Sequence, residues 1–262
     1  MADTTSPTDT APTVLLVHGA FADSSGWSGV TERLRAAGVP VRAPANPLRG
    51  LAADAAYVRS AIGQTPGPVL AVGHSYGGAV VTNAAAGAEN VVGLVYVAAF
   101  APDEGETLTD IEGGSRDSVL GTALLQLRYP TGRGAETAVE FAIDPAEFHG
   151  AFAADLPAGQ AAVMAATQRP VAALAFAERS GPPAWRSLPS WAVVPTGDKA
   201  AGSDVLRSMA ERAGAAIIEA EGSHVVMVSR PEVVADVILR ALDAVRNRSD
   251  LAVRRSAGSD QR

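Results

Sequence analysis

The chain has 262 residues, enough for one large α/β domain around a single buried core. Its formal charge of -7 leaves no basic stripe of the kind a phosphate backbone requires, so nucleic acid is not expected as a partner. There is no cysteine, which excludes disulfides, thiol catalysis, thiolate-bound zinc and iron–sulfur clusters. Lys199 is the only lysine among the 21 basic residues, a compositional bias without functional weight.

The opening MADTTSPTDTAPT lacks the basic and apolar regions of a secretory signal, and residues 1–12 read as a disordered leader. Thr13 to Val17 is an unbroken apolar run, as expected of a parallel strand covered on both faces. It ends in the loop HGAFADSSGW, where Asp23, Ser24 and Ser25 are candidate helix caps. Trp27, Val30 and Leu34 then recur at helical spacing until Gly38. VPVRAPA is the next strand candidate, followed by a helix over Leu51 to Ile62 and a third strand, PGPVLAVG. After GHSYGG come a helix over Ala79 to Ala86 and a strand over Val91 to Ala99. Asn83, Glu89 and Asn90 interrupt this most apolar region, so neither piece spans a bilayer, and a cytoplasmic enzyme with no membrane partner is expected. SWAVVPTG, a helix over Ser203 to Arg212, AAIIEAEG and a last helix complete the order. Strands alternating with helices imply right-handed crossovers and a parallel sheet.

The rhythm stops over 102–188. This stretch has no comparable β-branched run, but it has Ala-rich helical segments and breakers at Pro130, Pro145, Pro157, Pro170, Pro182 and Pro183. The expected organisation is therefore a core of 13–101 and 189–246 with a helical lid insertion at 102–188. The lid would sit above the carboxyl ends of the strands, where open α/β sheets bind ligands. SRPE predicts a capping box, with Ser229 as N-cap and Glu232 three residues on. The charged, aperiodic residues 247–262 read as a disordered tail.

VGHSYGG places Ser75 in Gly-x-Ser-x-Gly between a strand and a helix, a turn so tight that small residues must flank the central side chain. A serine hydroxyl needs a base within hydrogen-bond reach and a third group to orient that base. Of the four histidines, His18 suits the role of tying down loop backbone. His74 faces away from its neighbour because successive strand residues alternate. His149 lies in the insertion. His224, in SHVVMV after the last strand, reaches the same carboxyl edge as Ser75. Asp198, in PTGDKA, follows another strand at that edge, while Asp103 or Glu104 in AAFAPDEGE is the rival acid. For an oxyanion hole, one backbone N–H comes from Tyr76 and a second from the HGAF turn, at Ala20 or Phe21. Neither Gly-x-Gly-x-x-Gly nor a P-loop is present, so no nucleotide cofactor is expected.

The motifs LLVHGAFADSSGW, VGHSYGG, AAFAPDEGE, MAATQRP, PTGDKA and SHVVMVSRPE together resemble the α/β-hydrolase superfamily. Across most of 13–246 the chain looks similar to small cofactor-free esterases related to plant methylesterases and hydroxynitrile lyases. The resemblance implies an α/β-hydrolase fold: a mostly parallel sheet of about six strands flanked by helices, with a helical lid. It implies Ser75, Asp198 and His224 as a triad, the N–H groups of Ala20 and Tyr76 as the hole, and neither cofactor nor metal. Cyanohydrin-cleaving relatives typically carry Thr at the position of Gly19 and Lys at that of Val225, so ester hydrolysis is implied instead. Dehalogenase relatives use Asp where this chain has Ser75. The expected activity is a serine carboxylesterase acting on a small or medium ester, with Phe100, Met164, Phe176 and Trp185 as pocket walls. A ligand receptor on the same scaffold, or lactone opening, perhydrolysis or C–C cleavage, would share this machinery.

Overall fold

Strands without a polar face need cover on both sides, and helices supply it here. The computed structural model describes residues 11–259. In chain order the core begins β1 (Thr13–Val17), α1 (Ser28–Ala36), β2 (Val41–Arg42), α2 (Leu51–Gly63), β3 (Val69–His74), α3 (Tyr76–Ala84) and β4 (Val91–Val97). The insertion follows as α4 (Leu108–Gly113), α5 (Leu120–Ala123), β5 (Leu124–Pro130), β6 (Thr137–Ile143), α6 (Pro145–Phe152), α7 (Ala158–Thr167), β7 (Val171–Ala172) and α8 (Leu174–Ala177). The core resumes with β8 (Ser190–Pro195), α9 (Ser203–Arg212), β9 (Ala216–Ala220), α10 (Val226–Ser229) and α11 (Pro231–Ser259).

Six strands form one sheet in the order β2-β1-β3-β4-β8-β9, and every neighbouring pair is parallel. The fold implied by the resemblance is the fold observed. Leu15, Leu16 and Leu70 on the central strands are wholly buried, each contributing about 1.5–3 kcal/mol through burial. β2 is shorter than VPVRAPA suggests because Pro40 and Pro44 lack the N–H that a longer ladder requires, and it lies at the sheet edge. Among the described residues no helix is long and apolar enough to cross a membrane.

Three expectations need correction. The insertion is not helical throughout: beside its helices, β5, β6 and β7 form a three-stranded antiparallel sheet. Its signal is period-two alternation (Leu125, Leu127, Tyr129; Val139, Phe141, Ile143) rather than β-branched runs, with Gly132 and Gly134 at positive φ in the hairpin turn. The disorder expected from 247 does not begin there, because α11 continues to Ser259. Its inner turns bury Val234, Ile238 and Leu242, and a helix nucleated by packing propagates through Ala, Arg and Leu at little cost. The remaining positions of the expected leader and tail, 1–10 and 260–262, lie outside the described residues. The predicted capping box is not made: Ser229 closes α10, and Pro231 opens α11 with Arg230 at the cap position.

The insertion is pinned to the core at several points. Arg49 Nη1 pairs with Glu140 on β6 at 2.7 Å, and its guanidinium stacks 4.4 Å from the centre of the Tyr129 ring. Ala172 N–H donates to Leu48 O, and the Ser223 hydroxyl donates to Asp155 between α6 and α7.

Candidate active site

β3 ends at His74 and α3 starts at Tyr76, so Ser75 alone makes the turn, with φ 52° and ψ -127°. A non-glycine residue in this region carries about 1–3 kcal/mol of strain and persists only where its surroundings impose it. Those surroundings are main chain. Ser75 N–H donates to Val97 O, while Ser75 O accepts from the N–H groups of Gly78 and Phe100. A Cβ on Gly73 would sit 2.5 Å from Gly77 O, and one on Gly78 would sit 2.5 Å from Phe100 O. Glycine is required at both positions by close approach.

The next two components come from the far side of the sheet. Asp198 follows β8 and His224 follows β9; both are 1 % exposed, and His224 Nδ1 lies 2.6 Å from Asp198 Oδ2. The other carboxylate oxygen accepts N–H bonds from Ala200 and Ala201, both at 2.9 Å. An ionised carboxylate only accepts, so this contact places a proton on Nδ1 and, in the neutral ring, leaves the Nε2 lone pair free. His224 makes no hydrogen bond to the Ser75 hydroxyl here; in unliganded sites that contact is often long and tightens with substrate. The rival acids are engaged elsewhere, since Asp103 and Glu104 both pair with Arg186.

The HGAF loop lies against the elbow. A Cβ on Gly19 would sit 2.6 Å from Ser75 Cβ, so the loop backbone runs directly beside the serine. Ala20 and Phe21 follow at once, with Phe21 itself at φ 58°. Tyr76 opens α3, so its N–H has no intrahelical acceptor. Its ring is wholly buried and its hydroxyl donates to Asp54 at 2.7 Å. Burial pushes the Asp54 carboxyl above the usual range, against hydrogen bonds from Tyr76 and Arg49 that favour its ionised form.

His18 does tie down loop backbone: Nδ1 lies 2.9 Å from Gly19 O, and Nε2 accepts the N–H of Asn46. His149 stays within the lid, with Nε2 2.9 Å from Leu156 O. His74 turns away from Ser75, as strand alternation requires, and contacts His224 instead.

Burial lowers the pKa of His18 and lowers that of His74 well below the ordinary value. Below pH about 6.5 the unfolded chain therefore binds more protons than the folded one, and stability falls as pH falls. The expected loss approaches about 1.4 kcal/mol per pH unit for each histidine until its folded pKa is reached, with none above about pH 7.5. Asp54, raised in the fold, contributes in the opposite sense at lower pH. Urea unfolding between pH 5 and 7.5 measures the slope, and His74→Gln is expected to remove one histidine's share.

The predicted pocket walls divide. Phe176 stacks on Phe21 with ring centres 6.3 Å apart and lies 6.2 Å from the Tyr76 ring, beside the elbow. Phe100 borders Ser75 through its backbone N–H. Met164 lines a cavity of about 130 Å³ shared with Phe21, Ala22, Gln168 and Met227. Ser75, Asp198 and His224 are not among the residues that line it. Trp185 does not belong to the wall: its Nε1–H donates to Pro102 O and its ring lies near Arg186 and Arg212. Its position near the lid's end in sequence suggested otherwise, but residues 184–186 pack against α3. Sequence reasoning missed Phe152, whose ring is 4.9 Å from that of His224, and Met227. Met227, three residues past His224, was open to inference from helical spacing; Phe152 was not. Among the described residues no cluster of three or more His, Asp or Glu could hold a metal.

A parallel sheet with a strained serine elbow and a buried His–Asp pair at its carboxyl edge is the architecture of the α/β-hydrolase class. The chain belongs to the alpha/beta hydrolase family, whose sequence model matches residues 14–237. Among solved structures it is similar to a pyrethroid hydrolase from Sphingobium faniae JZ-2 (21% identity, 90% of this chain and 98% of that one, TM-score 0.72). It is also similar to polyneuridine aldehyde esterase (19%, 88% and 99%, TM-score 0.72) and to tomato methylketone synthase I (19%, 90% and 99%, TM-score 0.70). At these identities the likeness is one of fold. No curated protein sequence matches.

Proposed function

We propose that this protein is a serine carboxylesterase that hydrolyses a small or medium ester through an acyl-enzyme. The observation that carries the reading is the buried 2.6 Å contact between His224 and Asp198 at the edge where Ser75 makes its strained turn. Ser75 Oγ attacks the ester carbonyl while His224 Nε2 takes its proton, and Asp198 steadies the imidazolium. The tetrahedral oxygen is held by the N–H groups of Tyr76 and Ala20, with Phe21 as the alternative second donor; each such bond contributes about 3 kcal/mol in the transition state. His224 returns the proton to the leaving alcohol. Water, activated by the same base, then releases the acid, and no cofactor enters any step.

The cavity of about 130 Å³, which shares Phe21 with the HGAF loop and is lined by Asp23, Ser25 and Gln160 as well as Met164 and Met227, has room for a group of roughly benzene size. The closeness of Gly19 to Ser75 supports hydrolysis over cyanohydrin cleavage, because a side chain there would overlap Ser75 Cβ. The test is turnover of p-nitrophenyl acetate and butyrate, followed by trapping with a phosphonate ester and mass analysis of the peptides. Turnover with the label on Ser75 is expected; no turnover, or a label elsewhere, would overturn the reading.

A further inference from the structure

The mechanism above leaves one wholly buried histidine unused. His74 is 0 % exposed, and its Nε2 lies 2.9 Å from the backbone oxygen of His224. A carbonyl only accepts, so Nε2 carries the proton and Nδ1 is bare. That Nδ1 is buried with no hydrogen-bond partner. Leaving a ring nitrogen unpaired in the interior is unfavourable, and an apolar side chain would avoid it. The ring is retained at that disadvantage, and the work it does is at its other end.

The surroundings indicate what that work is. The rings of His74 and His224 are 4.8 Å apart, and Phe152 packs against both, at 6.5 Å and 4.9 Å. His224 is thus held at two places, its ring by Asp198 and its main chain by His74. We infer that His74 is a positioning residue, whose Nε2–H anchors the His224 backbone so that the imidazole presents Nε2 to Ser75. The inference rests on the esterase reading of the site. Because His74 is the last residue of β3 and Ser75 follows it directly, the nucleophile and the anchor of its base shift together. A misplacement of about 1 Å at such a pair can cost on the order of a hundredfold in rate. Burial and the nearby His224 hold His74 well below the ordinary histidine range, so it stays neutral while His224 takes up the serine proton.

Three variants test this. His74→Gln puts an amide N–H close to the Nε2 position; His74→Asn is polar but too short; His74→Leu removes the donor. With p-nitrophenyl butyrate, Asn and Leu are expected to lower kcat by about 10- to 100-fold with KM changed by less than about threefold, and Gln to stay within about threefold in kcat. Proton NMR adds a readout independent of turnover, because the short, shielded hydrogen bond between His224 and Asp198 gives a separate downfield resonance. That resonance is expected to persist in Gln and to shift or broaden in Asn and Leu. Unchanged kcat and resonance in folded Asn, or a folded Gln variant as impaired as Asn, would overturn the role. If Leu does not fold, the Gln and Asn pair decides. A wild-type protein without ester turnover would sink the esterase reading, while the resonance pattern would still decide the anchor.

Discussion

Ser75→Ala is expected to lower kcat on p-nitrophenyl butyrate by about a millionfold while the melting temperature barely moves, since only one oxygen leaves an otherwise unchanged turn. Asp198→Asn is expected to cost about ten-thousandfold, and the geometry gives the reason. Ala200 and Ala201 both donate N–H to one oxygen of Asp198, so an Asn amide must keep its oxygen there and turn its NH₂ toward His224 Nδ1. That arrangement makes Nδ1 the acceptor and moves the ring proton to Nε2, where a base is needed. Asp103→Asn breaks only a partly exposed pair with Arg186 and is expected to leave kcat within about twofold. Steady-state kinetics on the three purified variants decides the matter, and a loss with Asp103→Asn but not Asp198→Asn would transfer the acid's role.

Gly77→Ala is expected to destabilise the fold severely. The added Cβ would run into the carbonyl oxygens of Val17 and His18, which belong to β1 and the loop beside the elbow. No side-chain rotation relieves a clash with main chain, so β1 and α3 would have to separate. A cost above about 3 kcal/mol is expected, a large share of the roughly 5–15 kcal/mol that holds a typical domain folded. Urea unfolding of the purified variant, or its failure to accumulate as folded protein, checks this. Gly113→Ala makes the control, because a Cβ there meets nothing within 4 Å.

Much of this architecture is legible locally. Val14 to Val17 and Val69 to Val72 have no polar face, so they must be interior strands, and the interleaved helical periodicity leaves a parallel sheet as the consistent arrangement. Ser75 is legible for the same kind of reason: small residues on both sides of one serine between a strand and a helix describe a turn that little else can make. The lid was harder to read. Leu125 and Leu127 are exposed while Glu140 is buried, so the burial pattern of that sheet departs from its polarity, and composition gave no guide to it.

The amino-acid order by itself determined the sheet, the elbow and the short set of acids and histidines that reach its carboxyl edge, because each follows from steric or periodic constraints within a few residues. Only the tertiary structure decided that Asp198 rather than Asp103 meets His224, that Trp185 faces away, and that His74 grips the His224 backbone. Those choices depend on which strand ends become neighbours across the sheet and on how the insertion returns to it, and such distances are set by packing of the whole domain rather than by any local stretch of chain.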